Sequence, residues 1–235
     1  MSDYFAHETA VIDDGAVIGK GTRIWHFAHV LSGARIGTRC NFGQNTMVGS
    51  GVEIGDNVKV QNNVSIYPGA TIESDVFLGP SCVLTNISNP RSQVVRQSMY
   101  EKTLIRRGAS VGANATIVCG VTLGRYAFVA AGAVVTKSVP DYGFIVGVPG
   151  KQRGWMGRHG HPLAFGAPSG EEAEGELEDG DLIATCPESG FLYRWIAATD
   201  RVVCLTLDEE ARLPDHLQEG QRSYRDFKDE TREEG

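Results

Sequence analysis

A period of six runs through the first two thirds of the chain. Apolar residues stand at Ile12, Ile18, Ile24, Val30, Ile36, Phe42, Val48, Ile54, Val60, Ile66, Ile72, Leu78 and Leu84, without a miss. Two positions before each stands a small or β-branched side chain, from Ala10 and Ala16 through Thr22 and Cys40 to Val76 and Cys82. The pattern breaks, then resumes in a new phase at Ile105, Val111, Ile117, Leu123, Val129 and Val135. A helix repeats at about 3.6 residues and an alternating strand at about 2. A period of six is neither. It describes a short strand followed by a tight corner, with positions i−2 and i facing inward and i−1 outward. Three such units close a triangular coil, so that Ile24 recurs one coil on as Phe42 and again as Val60. Stacked coils then bury one another's apolar layers. Corner residues such as Gly19, Gly37, Gly55, Gly79 and Asn63 are expected to supply the positive φ of the turns.

Residues one coil apart share a column, which makes the corners readable. The first corner reads Trp25-His26-Phe27, Gly43-Gln44-Asn45, Gln61-Asn62-Asn63 and Gly79-Pro80-Ser81. It is rich in amides: Asn45 and Asn63 suit either a hydrogen-bonded ladder or a ligand, and His26, Gln44 and Asn62 are candidate ligand contacts. The second corner carries Leu31-Ser32-Gly33, Gly49-Ser50-Gly51, Tyr67-Pro68-Gly69 and Thr85-Asn86-Ile87. The third, with Gly37-Thr38-Arg39, Gly55-Asp56-Asn57 and Glu73-Ser74-Asp75, reads as a plain solvated turn. The interruption over residues 85–104 requires a loop that projects from the stack, with Asn86, Asn89 and Arg91 at its root and Arg96 further out. Polar loops on rigid scaffolds often carry sites.

This pattern resembles the hexapeptide-repeat acyltransferases, over about residues 8–155. The resemblance implies an all-β fold, the left-handed parallel β-helix, and the handedness comes from the family alone. Longer strings are similar to one branch, the N-acetyltransferases acting on UDP-2-acetamido-3-amino-2,3-dideoxy-glucuronate in lipopolysaccharide O-antigen synthesis: RIWHFAHV (23–30), CNFGQNTMVG (40–49), VQNNVSIYPG (60–69), VFLGPSCVLTNISNPR (76–91), RRGASVGANATIVCGVTLG (106–124) and GAVVTKSVPDYGFIVGVPGKQRGW (132–155). The branch implies acetyl-CoA as donor, a UDP-linked amino sugar as acceptor, and a homotrimer with sites between subunits. One departure lies in the closing motif, where Val148-Pro149-Gly150 stands in place of the usual Asn-Pro-Ala.

Acyl transfer to a sugar amine needs the neutral amine. With a pKa near or below about 8, much of it is already neutral at ordinary pH, so a strong base is useful but not required. Histidine suits the role of base, and His26 and His29 are the candidates, although His29 points outward from a flat face that a trimer can cover. Asn86 is the preferred polar contact to the reacting end, holding the amine or polarising the thioester carbonyl. Arg35 and Arg91 are candidates for the acceptor's carboxylate or diphosphate, with Gln44, Asn62 and Tyr67 as further substrate contacts. Ala113, Ala131 and Gly132 permit close approach of a pantetheine arm, and Lys137, Lys151 and Arg153 suit the 3′-phosphate of coenzyme A. No metal is expected.

Charge divides the chain. Residues 1–165 hold 15 Lys and Arg against 10 Asp and Glu, whereas residues 166–235 hold 7 against 19. A basic body suits phosphorylated ligands. The expected organisation is a β-helix domain over 1–157, an acidic linker over 158–180 (containing GAPSGEEAEGELEDG), and a small β-rich extension over 181–235 built on LIATC, FLYRWIA and RVVCLTL, for which no role is assigned. Cys40, Cys82, Cys119, Cys186 and Cys204 show no C-x-x-C spacing. Cys40 and Cys82 are expected to be buried thiols, and Cys186 with Cys204 remains open to a disulfide or a partial metal site. No secretory stretch or membrane-length apolar run is visible, so a soluble, cytoplasmic protein is expected, with no nucleic acid as partner. The competing readings are another amino sugar or a hydroxyl acceptor, a carbonic anhydrase of the same fold using His7, His26 and His29 on zinc, and a non-catalytic trimer.

Overall fold

The computed structural model describes residues 3–167, 178 and 180–220. They form two compact units, divided between Arg153 and Gly154.

The first unit is a parallel β-helix. Each short strand pairs with the strand one coil on, at a constant step along the chain: Phe5 with Arg23, Arg23 with Asn41, Asn41 with Lys59 and Lys59 with Phe77. At the fifth coil the step lengthens on all three faces at once, where Ala70 pairs with Thr103, Phe77 with Ser110 and Val83 with Thr116. The next step, Ser110 to Phe128, returns to the earlier length. One coil is therefore longer than the rest, and the stack above and below keeps its register. The surplus forms the projecting loop, which holds a short 3₁₀ turn at Gln97–Met99 and a bridge between Arg91 and Val94.

Outward residues alternate with inward ones as the period requires. Phe42, Ile66, Leu78, Ile105 and Leu123 have no exposure, and their partners at i−2 are also buried. Ile12 and Ile18 are only partly covered, because they lie in the first coil and have neighbours on one side only. Cys40 and Cys82 occupy inward positions as expected.

The corner glycines work differently from the expectation. Gly19, Gly37, Gly55 and Gly79 do not adopt positive φ. They are where consecutive coils come closest: a Cβ on Gly37 would lie 2.5 Å from the Gly55 carbonyl oxygen, and one on Gly79 2.7 Å from the Ala113 nitrogen. Positive φ falls two positions later, at Gly21, Arg39, Asn57 and Ser81. Asn63, at φ 63°, does match the expectation.

The second unit contains a three-stranded antiparallel sheet, Leu182–Thr185, Leu192–Ile196 and Arg201–Cys204, formed by the three apolar runs. Residues 158–167, expected as the start of a linker, pack in this unit, where His161 and Leu163 are buried. The rest of the acidic stretch, 168–177, and the polar end from 221 lie outside the described residues. Tyr193 is fully buried, and its hydroxyl accepts the Arg158 N–H at 3.0 Å; burial pushes its phenol pKa up. Asp181 accepts from Arg194 Nε at 2.6 Å and from the Ala197 N–H at 2.9 Å. The Ala197 bond, more than the guanidinium, holds the Asp181 carboxyl below its ordinary value. All five cysteines are free thiols. Among the described residues, no helix is long and apolar enough to cross a membrane.

The packing of the stack can be probed at Leu78. Leu78→Ala should cost about 2–5 kcal/mol in urea unfolding, because the coils on either side hold the cavity open. The thiols offer a second probe. Burial pushes Cys82 up to about 12 and raises Cys40, and Cys204 is the one cysteine that is not buried. In native protein a disulfide exchange reagent should therefore titrate Cys204 first, and Cys204→Ser should remove the fast phase.

Candidate active site

The second corner differs from the other two at its last position. Its third position is glycine in coil after coil: Gly15, Gly33, Gly51, Gly69 and, beyond the loop, Gly120, all with positive φ. The loop leaves and re-enters at this corner, closed by the Glu101 N–H donating to the Asn86 carbonyl at 2.9 Å. The Asn86 side-chain amide sits half-buried at the loop's root and makes no hydrogen bond with the described residues. Tyr67, 41% exposed, stands one coil before it and is also unpartnered among the described residues. The loop curls around a hollow of about 430 Å³ lined by Arg91, Arg96 and Tyr100 among others. Arg91 donates to the Pro90 carbonyl at 3.0 Å, and neither arginine is paired with a carboxylate among the described residues.

The first corner is a hydrogen-bonded column. Backbone N–H groups climb it, Asn45 to His26 O, Asn63 to Gln44 O and Ser81 to Asn62 O, at 2.9 to 3.0 Å. Asn45 Nδ2 donates to Asn63 Oδ1 at 3.1 Å, so these two amides form a ladder step. Asn62 Oδ1 accepts the Gln44 N–H at 2.9 Å, which commits its oxygen to the corner. The Gln44 side chain is exposed and unpartnered among the described residues. His26 stacks on His7 with ring centroids 3.5 Å apart. Higher on this corner stand Ala113, Ala131 and Gly132, with the Gly132 N–H donating to Ala113 O at 2.8 Å and open space where a Gly132 Cβ would stand.

His29 lies on the face between these corners and shares a 2.9 Å hydrogen bond through Nε2 with Asp13 Oδ1. That bond, first among the causes, holds the Asp13 carboxyl below its ordinary value. Arg35 lies on another face, its strand position paired with that of Glu53. Lys137 stands on the second corner beside a hollow of about 170 Å³, whereas Lys151 and Arg153 are exposed on the strand Lys151–Trp155. At Gly150 the departure from Asn-Pro-Ala has a steric counterpart: a Cβ there would lie 2.8 Å from both the Val134 carbonyl oxygen and Ile145 Cγ2.

The structure thus places Tyr67 and Asn86 on successive coils of one corner, with Arg91 in the loop that leaves it, and the set of Ala113, Ala131 and Gly132 at another. His26, His29 and Arg35 stay apart from Asn86. They belong to the second coil and Asn86 to the fifth, a rise of about 14 Å at the spacing of neighbouring strands. No group of three potential metal ligands, His7, His26 and His29 included, occurs among the described residues.

The third corner is not the plain turn that its sequence suggests. Asp56 Oδ1 accepts from the Thr38 N–H at 2.6 Å and from its hydroxyl at 3.0 Å, which keeps the Asp56 carboxyl low. Asn57 Nδ2 donates to Asp75 at 2.8 Å, Arg107 reaches the same carboxylate at 2.6 Å, and Arg106 lies 3.5 Å from Asp141. Tyr126 stacks on Tyr142 at 5.3 Å. Side chains one coil apart face each other on a corner, so acids, amides and bases in successive coils signal such a ladder. The Asp13–His29 pair is legible in the same way, since Asp13 stands two positions along from Val11, the residue one coil before His29.

Comparison with known proteins agrees with the repeat. The profile described as "Bacterial transferase hexapeptide (six repeats)" matches residues 15–50, 51–86 and 102–137, leaving out the loop. That described as "Hexapeptide repeat of succinyl-transferase" matches 33–68. The chain is 43% identical over 152 residues to the dTDP-3-amino-3,6-dideoxy-alpha-D-galactopyranose 3-N-acetyltransferase of Aneurinibacillus thermoaerophilus, covering 65% of this chain and 78% of that one. It is 31% identical to the bifunctional protein GlmU of Shouchella clausii over 57% of this chain and only 28% of that protein. Among solved structures, the acetyltransferase domain of PglB from Neisseria gonorrhoeae in complex with acetyl coenzyme A is 20% identical, over 64% of this chain and 57% of that one, with a TM-score of 0.43.

The first-corner ladder can be tested apart from any ligand. Asn63→Ala should cost about 1–2 kcal/mol in urea unfolding, since alanine must take up the left-handed φ. Asn63→Gly should recover most of that loss, with coenzyme A binding unchanged in both.

Proposed function

The chain belongs to the hexapeptide-repeat transferases, and we propose that within this family it is an acetyl-CoA-dependent N-acetyltransferase whose acceptor is a 3-amino sugar carried by a nucleotide. The observation that carries the reading is the Asn86 amide, without a hydrogen-bond partner among the described residues, at the root of the loop between the corner glycines Gly69 and Gly120. The 43% identity to a nucleotide-sugar 3-N-acetyltransferase supports the reaction class.

In this reading Asn86 binds the reacting end. Its carbonyl can accept a hydrogen bond from the acceptor amine, or its NH₂ can donate to the thioester oxygen as negative charge develops there. The first-corner set of Ala113, Ala131 and Gly132 offers backbone groups to the pantetheine arm, and Lys137, Lys151 and Arg153 offer charge to the 3′-phosphate. Asn86 and that set flank different edges of one prism. A homotrimer, with the first corner of one copy facing the second corner of the next, is the arrangement that brings donor and acceptor together.

The finer assignment is an acidic acceptor, UDP-2-acetamido-3-amino-2,3-dideoxy-glucuronate, with a place in lipopolysaccharide O-antigen synthesis. Support comes from the two loop arginines without carboxylate partners among the described residues, Arg91 and Arg96, since guanidinium groups match carboxylates in a two-pronged way. A neutral 6-deoxy sugar, as in the Aneurinibacillus relative's name, gives those arginines less to bind.

The test is thiol release from acetyl-CoA with a panel of UDP-linked and dTDP-linked 3-amino, 4-amino and 2-amino sugars. Release with the 3-amino-glucuronate nucleotide, reduced by Arg91→Ala chiefly through KM, is the expected result. Release with a neutral 3-amino sugar alone would discard the acidic acceptor and keep the reaction. Asn86→Ala should lower kcat by about 10²-fold or more with an unchanged melting temperature, and full activity would overturn the site.

A further inference from the structure

The loop returns to the second corner at Glu101, whose N–H donates to Asn86 O at 2.9 Å. Glu101 and Asn86 thereby share one level of the corner, with Gly69 in the coil before and Gly120 in the coil after. The Glu101 carboxylate is held on both sides. Oε1 accepts from the Cys119 thiol at 3.5 Å. Oε2 lies over Gly120, where a Cβ would come within 2.6 Å of it. Cys119 is buried, and its own N–H donates to Thr85 Oγ1 at 2.9 Å. Thr85 is the residue immediately before Asn86, so these bonds link the Glu101 carboxylate, through Cys119, to the chain segment that carries Asn86. Glu101 is half-exposed, and no Lys or Arg forms an ion pair with it among the described residues.

His26 and His29 stand three coils away, about 14 Å along the axis. A symmetry axis parallel to the prism carries every residue round without changing its height, so a trimer of that kind does not close the gap. Glu101 is the carboxylate that a backbone hydrogen bond joins to Asn86 at this level of the corner.

We propose that Glu101 is the proton acceptor of the acetyl transfer and that Cys119 positions it. The proposal rests on the reading that Asn86 binds the reacting end. The neutral acceptor nitrogen attacks the thioester carbon; a C–N bond forms and the carbonyl π pair moves onto oxygen. The nitrogen of this tetrahedral intermediate carries a positive charge and is far more acidic than the free ammonium. Its proton passes to Glu101, whose negative charge favours the positive nitrogen until the transfer and is neutralised by it. The oxygen pair then re-forms the carbonyl, the C–S bond breaks, and sulfur leaves with the bonding pair. Glu101 returns the proton to that sulfur. The products are the amide and the coenzyme A thiol, the carboxylate is restored, and nothing is oxidised or reduced.

The decisive variant is Glu101→Gln, which keeps the shape and an oxygen acceptor for the Cys119 thiol but takes no proton. With the panel acceptor that the unaltered chain uses best, kcat should fall by about 10²-fold or more, while KM for acetyl-CoA and the melting temperature stay put. Glu101→Asp should recover part of the rate, and added formate should raise the rate of Glu101→Ala. Cys119→Ala, acting only on position, should lower kcat less and shift the acid limb of the pH profile. An unchanged kcat in Glu101→Gln would overturn the proposal even if Asn86→Ala is inactive, and the Asn86 reading would then stand alone. A large loss in Glu101→Gln beside full activity in Asn86→Ala would keep Glu101 in the chemistry and remove Asn86.

Discussion

The parallel backbone ladder between coils governs everything else in the first unit. Each strand bonds to the strand one coil away at a nearly constant offset along the chain, so position in the sequence translates into height on the prism. The ladder tolerates no Cβ where the corners approach most closely, hence glycine at Gly37 and Gly79. It also dictates where extra chain can go. Inserted residues must leave at a corner and return to the same corner at the same height, which the bond between Glu101 and Asn86 achieves.

That constraint sorts the three corners by chemistry. One is a ladder of acids, amides and arginines whose side chains satisfy one another and leave little for a ligand. Another stacks amide groups and, higher up, small residues with exposed backbone. The remaining corner keeps glycine at its last position on either side of the loop, at Gly69 and Gly120, and the Asn86 and Tyr67 side chains there make no hydrogen bond with the described residues. Stability and binding are thus assigned to different edges of one scaffold. The second unit has its own core around Tyr193 and its own ion pair between Asp181 and Arg194.

A histidine base is the natural expectation from residue types, because histidine titrates near neutrality. The heights of the side chains favour a different arrangement. His29 is paired with Asp13 on a flat face and His26 is stacked on His7, both well below the loop. The glutamate whose backbone N–H bonds to Asn86 is inconspicuous in the sequence, since a lone glutamate in a polar loop has no pattern to mark it.

The period by itself determined the coil, the inward residues from Ile24 to Val135, the columns of each corner and the existence of a projecting loop, because three six-residue units to a coil leave one way to bury the apolar layer. With that arithmetic the Asn45–Asn63 step and the third-corner ladder were also within reach, although polar residues there read at first as solvated. Which glycines needed positive φ and which needed close approach was decided by the stacking of backbones, a distance that composition does not carry. The meeting of Asn86, Glu101 and Cys119 was decided by the tertiary structure alone. The loop is where the period lapses, and only its closure across the inserted segment brings Glu101 to the level of Asn86, with Cys119 reaching its carboxylate from the next coil.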